Sequence, residues 1–256
     1  MEEFVTLARS LIAVGLALLL VLLRLDAEKF GTAEYYEATH DGERPRVRRR
    51  LGWYGLGFVL AVAILYIHPA PQADLFLGSG DRLSAVLGGI AYGLLGIVVA
   101  VAFATYRYHR IRFPDASSYP AALLNSTATA FIDEAAFRGA LFGLLMLAGV
   151  NPTLANFTQA IIYTLTTRLG APGRDRYLLL LTIGMGLLGG WLTVATGGIA
   201  AAFLGHAITR FAVFLCTGHV GQTKPRGREV EEIEKRRRPP DGWRVIGSRE
   251  SNSRDR

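Results

Sequence analysis

The chain has 256 residues, 51% of them hydrophobic, a formal net charge of +7 at pH 7 and one cysteine, Cys216. A single cysteine excludes an intramolecular disulfide and the usual cysteine zinc sites. The apolar residues come in long runs, which reads as an all-α polytopic membrane protein of about seven transmembrane helices and not as a large soluble core; the excess of Lys and Arg then belongs to cytoplasmic loops, and no nucleic-acid partner is expected.

In chain order, spans are expected at roughly 4–24, 52–69, 83–105, 120–149, 152–168, 178–195 and 198–216. The first opens Met1-Glu2-Glu3, without a basic n-region or a small-residue cleavage site, and reads as a retained helix. The segment 25–50 is mixed-charge and polar, with six Lys/Arg that include Arg48-Arg49-Arg50, and carries Tyr35-Tyr36. It is expected to lie as a cytoplasmic surface helix ahead of the second span. The connection 106–119, the stretch from Arg168 to 177 and the tail after 216 are also basic, whereas 70–82 holds only Arg82 and the two remaining connections hold no Lys or Arg. Short basic loops stay in the cytoplasm, so the N-terminus is expected outside and the C-terminus in the cytoplasm of what is read as the plasma membrane.

The fourth segment begins after Ser117-Ser118-Tyr119-Pro120, a good helix start. About 30 residues of helix span roughly 45 Å, more than a bilayer core needs, so this helix is expected to project or to kink. Asn125, Ser126, Thr127 and Thr129 make its first half polar and suit a cavity lining or a helix contact.

Its second half carries Asp133-Glu134-Ala135-Ala136-Phe137-Arg138-Gly139. Ionisable groups at that depth are costly and face a protein interior or a water-filled cavity. Glu134 and Arg138 are four apart and can pair on one face. Asp133 points about 100° away and is expected to be left without a cation, as a candidate general base. His206 and Arg210 stand four apart on the last span. Asp133, Glu134, Thr167, His206 and Arg210 are expected to face one shared cavity, with Arg138 structural. Arg210 could stabilise an oxyanion or pair with one of the two acids.

These residues resemble a known family. Asp133-Glu134-x-x-Phe137-Arg138-Gly139-x-Leu141 is similar to the first motif, Glu-Glu-x-x-x-Arg, of the CPBP (CAAX protease and bacteriocin-processing, Abi) intramembrane proteases. Tyr163-Thr164-Leu165-Thr166-Thr167 stands where the family has Phe-x-x-x-His, and His206-Ala207-Ile208-Thr209-Arg210 where it has His-x-x-x-Asn/Asp. The resemblance implies a CPBP-like core over 118–216, preceded by membrane helices and a basic loop (1–117) and followed by a basic disordered tail (217–256). It implies an intramembrane endopeptidase acting on a peptide or membrane-protein substrate, with Asp133, Glu134 and His206 in the catalytic positions. A divalent metal such as zinc is the cofactor to consider, with Glu134 and His206 as candidate ligands. The chain departs from the family pattern in three places. Asp133 replaces a Glu, Thr167 a His, and Arg210 the Asn or Asp. Two functions therefore stay open: an endopeptidase with a degenerate site, or a catalytically inactive pseudoprotease acting as a membrane scaffold or binding protein.

Overall fold

The computed structural model describes residues 2–30, 35–36, 44–108, 111, 113, 116, 119–168, 176–217 and 219–220; the side chains of a few of these, Thr167 among them, are outside the description. The tail from residue 221, expected to be disordered, also lies outside the described residues.

The protein is an all-α polytopic membrane protein. Its helices are α1 (Glu2–Leu25), α2 (Arg44–Ile67), the short α3 (Pro71–Leu75), α4 (Arg82–Tyr108), α5 (Tyr119–Glu134), α6 (Phe142–Leu147), α7 (Pro152–Arg168), α8 (Arg176–Thr196) and α9 (Ala200–Thr217). Glu2–Leu25, Arg48–Ile67 and Arg82–Tyr106 are each long and apolar enough to cross a membrane, and Leu180–Thr196 and Ala200–Cys216 are shorter apolar helices. Polarity is inverted relative to a soluble fold. Phe4 and Leu83 are 74% and 69% exposed, whereas Asp133, Glu134 and Arg138 are buried. Such a surface suits lipid, and such an interior must satisfy its own polar groups.

Two differences from the sequence expectation concern helix ends and helix type. α2 begins at Arg44, several residues before the expected apolar span. Arginine is a good helix former, so the helix runs on past the apolar stretch through Arg48–Arg50. Earlier in that basic segment, Ala27–Phe30 is a short 3₁₀ turn and Tyr35–Tyr36 pairs antiparallel with His219–Val220. The remainder of the expected surface helix lies outside the described residues. The second difference is in the long fourth segment. α5 and α6 are joined without a break by a π-helical stretch, Ala135–Leu141, in which the amide of Phe142 reaches back to the carbonyl of Phe137. π-helical turns are rare and occur often at functional sites.

Close approach of helices depends on small residues. A Cβ on Gly89 would lie 2.9 Å from Leu204 Cβ and one on Gly93 2.7 Å from Ile208 Cδ1, so only glycine lets α4 lie along α9. α1 is fixed to α2 by Trp53 Nε1, which donates to the Leu23 carbonyl at 2.9 Å. α7 is fixed to α8 by Asn156 and Gln159, which donate to the carbonyls of Leu187 and Gly186, each at 3.1 Å. At the far end, the segment after α3 docks on the turn between α8 and α9. The Asp81 amide donates to Thr196 O at 2.8 Å and the Ile199 amide to Phe76 O at 3.1 Å. Gly80 takes φ +62° there, with the Thr196 carbonyl filling the space a side chain would need. Asp81 also caps α4 through the Ser84 amide at 2.8 Å. Hydrogen bonds from the Ser84 hydroxyl and amide hold its carboxyl below the usual range.

Candidate active site

Five helices and the π stretch deliver polar side chains to one buried cluster. α5 ends on Asp133 and Glu134, which are fully buried and diverge as consecutive helical residues must. Glu134 Oε1 accepts from His206 Nδ1 of α9 at 2.7 Å and lies 3.2 Å from Arg138 Nη1. A carboxylate can only accept, so Nδ1 carries the proton and Nε2 is left as an acceptor. The hydroxyl of Tyr163, on α7, lies 3.2 Å from that Nε2 and donates to it. The result is a directed chain, Tyr163 to His206 to Glu134. The second carboxylate oxygen, Glu134 Oε2, is buried and has no hydrogen-bond partner among the described residues.

The guanidinium of Arg138 is enclosed. Its Cζ lies 4.1 Å over the ring of Tyr163, a cation–π contact in a dry setting. Phe137 meets the same ring edge-on at 5.3 Å. On the other side is α8. A Cβ on Gly186 would stand 3.5 Å from Arg138 Nη2 and one on Gly189 3.4 Å from Nε. A Cβ at either position would be in ordinary contact with the guanidinium, and the tighter neighbour of Gly186 is Ala160 Cβ at 3.1 Å, so these glycines serve the packing of α8 on α7.

Asp133 is not left without a cation, contrary to the sequence expectation. Arg24, the last polar residue of α1, pairs with it, bonding Oδ1 through Nε and lying 3.5 Å from Oδ2 through Nη2. His206 Nε2 is 4.0 Å from Asp133 Oδ2. Sequence spacing could not supply this pair, because the partners are 109 residues apart. Arg24 reads from the sequence as an ordinary basic residue at a span border; its signal is its position one residue inside the apolar run.

Arg210, one turn beyond His206, makes no ion pair with Asp133 or Glu134 among the described residues. Its Nη2 donates to Asn125 Oδ1 at 3.4 Å, and Asn125 Nδ2 donates to the Tyr54 hydroxyl of α2 at 2.6 Å. The Nε of Arg210 and the hydroxyls of Ser126 and Thr129 are buried without a partner. Of the expected shared set, the structure brings Asp133, Glu134 and His206 together and places Arg210 beside them on Asn125. The side chain of Thr167 lies outside the described residues. Sequence reasoning gave no role to Tyr163, Arg24 or Tyr54.

The donor set does not suit zinc. Among the described residues, no group of three or more His, Cys, Asp or Glu side chains is placed to hold a metal ion. Glu134 and His206 are engaged with each other at hydrogen-bond distance, and Asp133 is engaged by Arg24. A three-ligand zinc site needs donors turned toward a common point.

Residues 115–212 match the family model described as Type II CAAX prenyl endopeptidase Rce1-like. No curated protein and no solved structure matches the chain. Asp133, Glu134, Arg138, Tyr163, His206 and Arg210 all fall inside the matched stretch; Arg24 and Tyr54 fall outside it. Over residues 115–212, then, this membrane protein is similar to the Rce1-like proteins of the CAAX protease (CPBP) family.

Proposed function

We propose that the chain is an intramembrane endopeptidase in which Glu134, oriented by His206, activates water against a peptide bond. The observation that carries this reading is the Glu134–His206 hydrogen bond at 2.7 Å together with the unpartnered Oε2 of Glu134. Oε2 takes a proton from water as the water oxygen bonds to the scissile carbonyl carbon. That proton then passes to the amide nitrogen as the C–N bond breaks, leaving a carboxylic acid and an amine. His206 holds Oε1 through Nδ1–H, and Tyr163 fixes the tautomer from the other side. Arg138 holds Glu134 in place through its 3.2 Å contact with Oε1. Asp133, held by Arg24, is a positioning group in this reading and not the base. The substrate is a peptide or membrane-protein segment entering from the cytoplasmic side, with the N-terminus of the enzyme outside and its tail in the cytoplasm.

The pseudoprotease reading is favoured by one observation, the Arg24–Asp133 pair. A buried ion pair specifies packing without requiring chemistry. The deciding experiment is mass spectrometry of membrane peptides incubated with the purified chain, wild type against Glu134→Gln. Cleavage by wild type that Glu134→Gln abolishes supports the peptidase. Intact peptides with a folded wild-type protein support the scaffold.

A further inference from the structure

The buried cluster holds more positive than negative charge. Among the described residues, Arg24 and Arg138 are each matched by one carboxylate, Asp133 and Glu134 respectively. Arg210 is matched by none; its contact is the neutral amide of Asn125. Around it the polar groups are also unsatisfied. Ser126 and Thr129 are buried, their hydroxyls lack partners, and so does Arg210 Nε. Asn125 and Thr129 are four apart on α5 and so present adjacent groups to the same neighbour. Arg210 is half-buried with its Nε fully enclosed, and a cation without a carboxylate partner there is costly, as are the orphaned buried donors around it. Hydroxyls and a guanidinium share one capacity: all of them donate to an oxyanion.

We propose that Arg210, with Asn125 and Thr129, forms a subsite for a carboxylate group of the peptide substrate. The proposal rests on the peptidase reading only for the identity of the ligand as a peptide. A singly charged carboxylate restores the charge balance of the cluster one for one. The subsite is a property of this chain, because the position of Arg210 is where the family pattern has Asn or Asp. It lies one helical turn from His206, so a peptide whose scissile bond sits at Glu134 has its acidic group within a few residues of the cut. The carboxylate comes either from a Glu or Asp side chain or from the C-terminus of the peptide.

The test uses the full chain in phosphatidylcholine nanodiscs and three apolar peptides of one sequence. The first has an internal Gln and a C-terminal amide, the second an internal Glu and the amide, and the third the internal Gln and a free C-terminal acid. Affinity is read by fluorescence anisotropy, with product analysis alongside. One acidic peptide is expected to bind wild type about tenfold or more tightly than the neutral one, a gain typical of one charge-assisted contact. Which of the two does so identifies the source of the carboxylate. Arg210→Gln should erase the difference and Arg210→Lys should keep part of it. Equal binding of all three peptides by wild type would overturn the proposal, as would a preference that survives Arg210→Gln. A response only to phosphatidylglycerol added to the disc would overturn it too, by making the anion a lipid's. Should Arg210→Gln fail to fold, the wild-type comparison and Arg210→Lys still decide. Binding without cleavage would retain the subsite and remove the peptidase reading, so the two fail separately.

Discussion

The two halves of the α5 helix bury polar groups in opposite ways. At its C-terminal end each carboxylate has a guanidinium partner, Arg24 on Asp133 and Arg138 on Glu134, and His206 is hydrogen-bonded to Glu134. In its N-terminal half, Asn125 bonds Tyr54 and Arg210 and keeps a second amide N–H, while Ser126, Thr129 and part of Arg210 are unsatisfied. The first region resembles a structural core that contains a reactive group. The second resembles a site prepared for something else to bind. Unsatisfied donors alone do not separate the two, since Arg138 Nε and Nη1 also lack a hydrogen-bond partner; the pairing of each carboxylate with a guanidinium does.

The comparison can be broken most forcefully at the matched end. Arg138→Leu should destabilise the protein by about 3–5 kcal/mol, because it leaves Glu134 with one partner fewer in a dry site. Reversible unfolding in mixed micelles measures this. A thermally unchanged Arg138→Leu protein that had lost all activity would give Arg138 a direct chemical role. Arg24→Leu should cost a similar amount, about 3–5 kcal/mol, by stranding Asp133. Adding Asp133→Leu should recover most of that loss, since an apolar pair replaces the ionic one. If the double variant is as unstable as the single, the pair is not the source of the stability.

Smaller effects sharpen the contrast. Tyr163→Phe removes one hydroxyl from His206 Nε2 and should cost about 1 kcal/mol in stability. If the relay operates, its effect on any hydrolysis should appear in kcat and in the pH profile more than in KM. In the unmatched region, Arg210→Gln should change stability least, by less than about 1 kcal/mol, and can even raise it, because it removes an uncompensated cation. A loss of several kcal/mol there would mean that Arg210 is an ordinary structural charge, and the two halves of α5 would no longer differ in kind.

What the sequence disclosed follows from range. The long helices could be read from apolar runs, because hydropathy is local. The Glu134–Arg138 pair could be read from its spacing of four, which survives even in π geometry. The association of His206 with the acids followed from the cost of leaving any of them in lipid. Arg24 could not be assigned to Asp133, since nothing local distinguishes it from other basic residues at a span border. The freedom expected for Asp133 was therefore an error of omission about a partner on another helix. Arg210 was expected to stabilise an oxyanion or to pair with an acid, yet it contacts Asn125; charge attraction predicts partners, but the α5–α9 packing decides which group is within reach. The π stretch was anticipated only as a kink in an overlong helix.

That π stretch sets the rotational phase of everything after it. Each residue of α-helix turns the chain by about 100°, so the wide turn at Ala135–Leu141 lets α6 leave with a different facing from the one an unbroken α-helix would impose. Phe142 emerges stacked on Phe76 at 5.5 Å, and Phe76 in turn receives the Ile199 amide that starts α9. The acids before the wide turn and the docking face after it are thus aimed independently along one continuous helix. Loss of a single residue within 135–141 would keep the composition of the segment and its polar motif nearly intact, yet it would swing α6 off Phe76 while Glu134 still faced His206. For this helix, length counted in residues is as much a part of the buried cluster as the residues themselves.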